Sequence, residues 1–392
     1  MADIQKRKTS AGGTKWDVRY RDEGRRQRKK TFDRKIDATR FANGVETDLL
    51  RGDWIDPNRG KETFDAWAER WLATLGDKKP KTAESYESIV RKHLLPRFGT
   101  WPIGAIEYPT VLTFISELQA SGLGAGTIRN IRDVLRLVLQ LAVRSGALKS
   151  NPVVGVKVAK SRRKEMLFLE PHQIVRLAEE VSRPPQRYRR NERRRDGYPE
   201  YGLLVRTAAF TGLRAGELVA LRRKAIDLPS KRIHVRESAS EAHGELQIVA
   251  TKTYEHRSVP VPASLAVELS DHVAGLSGEE FVWRSPQGEA FRYGNWFKRH
   301  FKPAVARAGL QDGTRFHDLR HSYAAMLISK GAHPRSIMER LGHSTITVTL
   351  DTYGHLFPGL EAVLDDELDQ LHISSFRIRE PQPNDRRLTD GR

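Results

Sequence analysis

The chain has 392 residues, enough for two or three domains with at least one large buried core. Lys and Arg number 68 against 49 Asp and Glu, a formal charge of +19, so the expected partner is a polyanion, nucleic acid ahead of an anionic membrane surface. No apolar run reaches the roughly 18 residues a membrane span needs, and the start MADIQKRKTS carries no apolar signal core, which predicts a cytoplasmic protein without a membrane partner. With no Cys and no HExxH pattern, disulfides, thiol nucleophiles and the common zinc sites are excluded, leaving Tyr, Lys, Arg, His and carboxylates to carry any chemistry.

Taken in chain order, KWDVRYRD alternates Trp16, Val18 and Tyr20 with charged residues, as a half-buried strand does, and Glu23-Gly24 turns it into RRQRKKTF. The following segment spaces Ile36, Phe41, Val45 and Leu49 as a helix, and RGDWIDPNRG ends the unit near residue 60. From Phe64 the period is helical: Phe64, Trp67, Trp71 and Leu75 form one stripe, KTAESYESIVRKHLLPRF follows Pro80, Pro109 opens a third helix, and Ile128 to Ala142 give a long stripe ended by Gly146. Residues 61–150 thus read as a four-helix module, and 151–164, basic and Pro/Gly-bearing, as a linker. The remainder, 165–372, opens with EPHQIVRLAEEV and YGLLVRTAAFTGL, passes through the strand-like runs RIHVRES, LQIVATK and RSVPVP, and is helical from there, an α+β pattern without βαβ alternation or a Gly-rich phosphate loop. A polar tail, 373–392, is expected to be disordered in isolation.

The last region holds Arg214 in TGLRAGEL, Lys252 in ATKTYEHRSVPVP, His317 and Arg320 in HDLRHS, His343 in LGHS, and Tyr353 in TLDTYGHL. Singly each has a bland reading as a surface charge, a cap or half-buried packing; together, in this order and spacing, they resemble the tyrosine recombinases, the family of phage integrases and chromosome-dimer resolvases. The resemblance implies the family's fold: a small α+β N-terminal unit with a three-stranded sheet and a helix, over 1–60, that binds arm-type DNA; an all-α core-binding domain of SAM-like type; and a mainly α catalytic domain with a small antiparallel sheet.

Carried over by motif, the resemblance makes Tyr353 the nucleophile that forms a 3′-phosphotyrosyl link and frees a 5′-hydroxyl. Arg214 and Arg320 would fork onto the non-bridging oxygens, a geometry suited to planar guanidinium groups. Lys252, at the tip of a hairpin between LQIVATK and RSVPVP, would protonate the leaving oxygen; His317 would assist the proton of Tyr353, and His343 would hydrogen-bond the phosphate. Glu217 reads as an orienter of this pocket, whereas His321, four residues after His317 on the same helix face, matches no chemical role and reads as a surface or cap residue. Neither a metal nor a nucleotide cofactor is required.

For DNA contact, the dense basic run Arg25, Arg26, Arg28, Lys29 and Lys30 is the candidate in the N-terminal unit, and Arg129, Arg132 and Arg136 in the helical module, with a solvated face as the alternative. The stretch 182–200, with seven arginines, departs from the family pattern; a loop on DNA phosphate and a solvated charge run are equally open. The expected function is integration and excision of a phage or mobile element by a homotetramer on core and arm sites of double-stranded DNA, with a directionality factor or host bending protein as partner. The alternatives are a chromosome-dimer resolvase, a transposon recombinase, a type IB topoisomerase and, from another class, a catalytically silent DNA-binding regulator.

Overall fold

The structure is a computed structural model and describes residues 2–9, 12–22, 25–51, 59–159, 166–184, 197–250, 257–285, 291–357 and 361–377. Lys252, most of the Arg-rich stretch and the polar tail beyond 377 lie outside these residues. The chain divides into two compact units, one running to residue 164 with 242–244, the other comprising the rest.

In the first unit, β1 (Asp3–Lys8), β2 (Thr14–Arg21) and β3 (Gln27–Phe32) form an antiparallel sheet in that order. Helix α1 (Lys35–Arg51) covers one face, where Val18 and Tyr20 meet Ala38, Ala42 and Val45 in a small core. Strand β1 supplies this core with only Ile4, too little apolar alternation to announce a strand. Of the expected helical stripe, Val45 is buried and Phe41 and Leu49 pack against the core, but Ile36 is exposed, and Ala38 and Ala42 are buried beside them.

The helical module consists of α2 (Phe64–Leu72), α3 (Pro80–Ile89), α4 (Leu95–Phe98), α5 (Tyr108–Ala120) and α6 (Ala125–Arg144). A π-helical turn, Val90–Leu94, joins α3 to α4 without a break. Pro96 explains it: a proline ring collides with the carbonyl four residues back in a regular helix, and here Leu95 N–H reaches Val90 O instead. Phe64, Trp67, Trp71, Leu75 and the predicted stripe of α6 form the core. The segment expected to be a linker contributes to it as well, with Val153, Val156 and Val158 buried and Asn151 Nδ2 donating to Arg136 O at 2.9 Å.

The second unit starts with α7 (Pro171–Ser182) and α8 (Pro199–Thr211), followed by the short α9 (Ala215–Val219). Strands β4 (Ile226–Asp227), β5 (Arg232–Val235) and β8 (Arg257–Pro260) form one sheet, and β6 (Glu237–Ala242) pairs with β7 (Glu245–Ala250). Two expectations are corrected here. RIHVRES is not one strand but the whole of β5 and the start of β6, and among the described residues β7 and β8 pair with different strands rather than with each other. Helices α10 (Ala263–Val273), α11 (Tyr293–Trp296), α12 (Lys302–Arg307), α13 (Phe316–Ser329), α14 (Pro334–Leu341), α15 (Ile346–Tyr353) and α16 (Glu361–Arg377) follow. Helix α16 runs on to Arg377, past residue 372, where helix was expected to stop. A large core centred on α8 fills this unit, and a smaller cluster holds Tyr323, Ile337, Leu341 and Tyr353.

Candidate active site

Two left-handed glycines set the site. Gly212 closes α8 at φ 66°, and a Cβ there would stand 2.5 Å from Tyr323 Cδ1, so the TGLR turn admits no side chain at this position. Gly342 closes α14 at φ 63° and packs against Arg257, whose Nη1 would lie 2.8 Å from a Cβ. Arg214 caps α9, with Glu217 one turn on returning a carboxylate oxygen to its backbone N–H at 2.8 Å.

The arginines then converge on main-chain oxygens and on Glu217. Arg214 donates through Nη2 to Gly342 O at 2.8 Å and through Nη1 to Glu217 at 2.9 Å. Arg320, on α13, donates to Gly212 O at 2.7 Å and to Leu341 O at 2.5 Å. These carbonyls terminate helices, where the backbone dipole favours a cation. Glu217 is buried and also takes both terminal nitrogens of Arg257, at 2.9 and 2.6 Å. Its carboxyl is held below the ordinary range: burial opposes ionisation, but the bonds and charges of Arg257 and then Arg214 outweigh it. Three guanidinium groups around one carboxylate leave net positive charge. Burial, followed by the charge of Arg214, brings Arg320 down to about 9, still cationic at neutral pH.

Tyr353 ends α15 at 1% exposure. Its hydroxyl meets His321 Nδ1 at 2.9 Å, and its ring lies parallel to that of His343 with centroids 6.4 Å apart. His343 is fixed by Thr349 Oγ1, 2.8 Å from its Nδ1, and burial lowers its pKa to about 4. His317 keeps an open side one turn earlier on α13, with its ring edge-on to His321 at 4.8 Å; partial burial and then Arg320 lower its pKa.

Arg214, Arg320, His343, Tyr353 and Glu217 are thus brought together, with His317 at the margin. His321 is the correction: it is buried, not a surface or cap residue, and it touches the Tyr353 hydroxyl. HDLRHS carried no signal for it, since Leu319 is the one apolar residue in that run and nothing local separates a buried His321 from its polar neighbours. Arg257 was also missed, although a charged residue opening the otherwise largely apolar RSVPVP run could have marked it.

The basic N-terminal residues are distributed by register. Lys29 pairs with Arg19 and lies on the sheet face away from α1, beside Arg7 and Asp17, whereas Arg28 pairs with Tyr20 and Lys30 with Val18 on the helix side. Lys30 Nζ sits 4.5 Å from the Phe41 ring centroid, and Arg25 and Arg26 are exposed at the β2–β3 turn. On α6, Arg129 and Arg136 are exposed, while Arg132 is tied to Asp133 and to Val156 O.

The sequence profile of the phage integrase family matches residues 168–359, and that of the phage integrase central domain matches 64–159. The ICEBs1 integrase of Bacillus subtilis (strain 168) is 29% identical over 75% of this chain and 79% of its own length. Among solved structures, the Tn1549 transposon integrase in complex with a circular intermediate DNA aligns with TM-score 0.65 and 20% identity over 79% of this chain and 99% of that one. A lambda integrase dimer bound to a COC′ core site aligns with TM-score 0.57 and 19% identity over 88% and 93%. The two structural likenesses bear on the fold, which is that of the tyrosine recombinases, enzymes that break and rejoin DNA. The chain belongs to the phage integrase family, and is a site-specific recombinase.

Proposed function

We propose that Tyr353 attacks a DNA backbone phosphate, with Arg214 and Arg320 holding its non-bridging oxygens. The observation that carries this reading is that both guanidinium groups are anchored on the carbonyls of the same α14 terminus that presents His343, next to the Tyr353 ring. Each guanidinium has five N–H donors and spends only some of them on these anchors, so donors remain for phosphate. The crowded anionic transition state is stabilised by charge fixed before the substrate arrives. His343 hydrogen-bonds the phosphate, and Lys252, on sequence resemblance alone, protonates the leaving 5′-oxygen.

In this reading the chain works as three domains, with the N-terminal unit on arm sites, the helical module on the core site, and a homotetramer as the working assembly. A directionality factor or host bending protein completes it. Support comes from family membership and from the lambda integrase of similar fold, which is bound to a core site as a dimer. In the N-terminal unit the open sheet face, with Arg7, Arg19 and Lys29, is a better-placed DNA surface than Arg28 or Lys30.

The test is Tyr353→Phe on a nicked suicide substrate carrying the element's own attachment core, analysed by denaturing gel. The variant keeps the packing of the ring and loses the nucleophilic oxygen. It should bind DNA and give no protein-linked strand; a persistent covalent band overturns the assignment. A wild type that binds without ever forming the band would instead identify a silent regulator.

A further inference from the structure

In the N-terminal unit the cations of the open sheet face fall into two groups, those tied to a carboxylate and those that are not. Register sets Gln5, Asp17 and Thr31 in one row across the three strands, flanked by Asp3, Arg19 and Lys29 on one side and by Arg7 opposite Lys15 on the other. Asp17 stands at the centre, on the face away from Val18 and Tyr20, yet it is buried at 2% exposure. Its Oδ1 accepts from Thr31 Oγ1 at 2.6 Å, and its Oδ2 takes Lys29 Nζ at 2.7 Å and Arg7 Nε at 3.2 Å. The bonds from Lys29 and then Thr31 bring its carboxyl down to about 2, so it is an anion at neutral pH. Lys15 is held by Asp33, whereas Arg19 and Arg21 are exposed and have no carboxylate partner among the described residues.

We propose that Arg7, braced by Asp17, reads a guanine of the arm-type DNA site and so sets the sequence preference of this unit. This rests on the reading of the unit as arm-binding. Asp17 is a positioning residue that acts through Arg7, while Arg19 and Arg21 hold backbone phosphates, which fix the register of the duplex but carry no sequence information.

A carboxylate at the centre of a DNA-facing surface weakens the attraction of that surface for phosphate, so its place there needs another reason. Orientation supplies it. The bond from Nε to Asp17 fixes the plane of the Arg7 guanidinium and leaves Nη1 and Nη2, which have no partner among the described residues, on a side chain 53% exposed. Two neighbouring N–H donors in one plane match O6 and N7 of guanine, which lie side by side on the major-groove edge of the base. Three strands span roughly 10 Å, and the major groove, about 12 Å wide, admits them. Lys29 shares the oxygen that holds Arg7, so two cations stand against one carboxylate and the centre of the face stays net positive towards DNA.

The full chain is footprinted on the element's attachment region to locate its arm sites. A duplex carrying one such site and no core is then titrated with each base pair exchanged in turn, and with 7-deazaguanine in place of each guanine. For the wild type, exchange of one G·C pair should weaken binding by about 10- to 100-fold, and 7-deazaguanine, which deletes only the N7 acceptor, should weaken it at the same position. Arg7→Lys keeps the charge without the fork, so discrimination at that pair should fall below about threefold while other positions are unchanged. Asp17→Ala should lose discrimination at the same pair, yet bind an unrelated duplex at least as tightly as wild type and with as steep a dependence on salt, because it gives up orientation and no cation. Should Asp17→Ala weaken every duplex alike, as a merely structural role gives, the brace is overturned. Arg7→Lys, which leaves Asp17 in place, then decides the guanine contact by itself, and full discrimination in that variant overturns the contact. A wild type that binds arm and unrelated duplexes alike removes the arm-site reading itself, whereas a preference that survives at every position in Arg7→Lys removes only the inference.

Discussion

Replacing Glu217 by Gln tests the electrostatic core of the site without touching the nucleophile. The carboxylate takes four N–H groups: the Arg214 backbone and Nη1 at 2.8 and 2.9 Å, and the two terminal nitrogens of Arg257 at 2.9 and 2.6 Å. An amide retains one oxygen, turns an N–H₂ towards a guanidinium, and removes the negative charge from beside Arg257, whose side chain is only 12% exposed. Breaking a buried ion pair by deleting one partner costs about 3–5 kcal/mol; Arg214, at 42% side-chain exposure, can turn to water, which places the expected loss near the lower end, about 3 kcal/mol. Urea unfolding of the catalytic unit, reported by Trp283 and Trp296, measures it.

The same variant has a pH signature. The folded-state pKa of Glu217 is depressed, so its contribution is present above the unfolded value of about 4.3 and is lost as pH falls through the lower folded value. The gap between wild type and Glu217→Gln should therefore be constant from pH 5 to 8 and close below about pH 4. A loss under about 1 kcal/mol, or a gap that persists in acid, refutes the reasoning. Adding Arg257→Met to Glu217→Gln should recover part of the loss, because the orphaned cation is then gone.

Acid sensitivity of a second kind follows from His300, His321 and His343, each lowered to about 4, in every case first by burial. Depressed pKa values leave their stabilisation whole above the unfolded value of about 6.5 and remove it as pH falls through about 4, so unfolding in that window should take up close to three protons in the pH dependence of the urea midpoint. A midpoint flat from pH 7 to 4 contradicts this. Gly212→Ala should lower stability well beyond Gly122→Ala in parallel melts: both positions are left-handed, but nothing lies within 4 Å of a Cβ at Gly122, whereas Gly212 meets Tyr323. Equal losses would mean that Tyr323 yields freely.

Much of the fold was legible because burial imposes a period. The stripe from Ile128 to Ala142 lies on one face of α6, and Phe64, Trp67 and Trp71 on one face of α2, as their spacing required. Proline was harder to read. Pro96 and Pro303 both lie inside continuous helical segments, where a π turn lets Leu95 and Lys302 bond five residues back and relieves the clash that normally ends a helix. Strand β1 was silent because its outward face is wholly polar and its inward face offers only Ile4.

In the site, motif order identified the residues that resemble a family pattern but not those that act through contacts between distant segments. Arg257 reaches Glu217 across 40 residues and His321 reaches Tyr353 across 32, and neither distance leaves a local period. Basic-residue density in RRQRKKTF likewise could not reveal which side of β3 each cation takes; the pleat sends Lys29 one way and Arg28 and Lys30 the other.

The anchoring of Arg214 and Arg320 on main-chain oxygens has an evolutionary consequence. Every amino acid supplies a carbonyl, so a substitution at Leu341 alters packing but leaves the oxygen that receives Arg320. The geometry of the clamp is therefore insulated from most side-chain drift in its own supports, and its mutational fragility is concentrated in backbone conformation, at Gly212 and Gly342. A deep mutational scan of 338–345 read for DNA cleavage should show this as intolerance at Gly342 for its backbone and at His343 for its chemistry, with Leu341 accepting apolar replacements. Lineages of such an enzyme could then vary the surroundings of the site, and with them the choice of DNA, while the chemistry stays where two turns of the chain have put it.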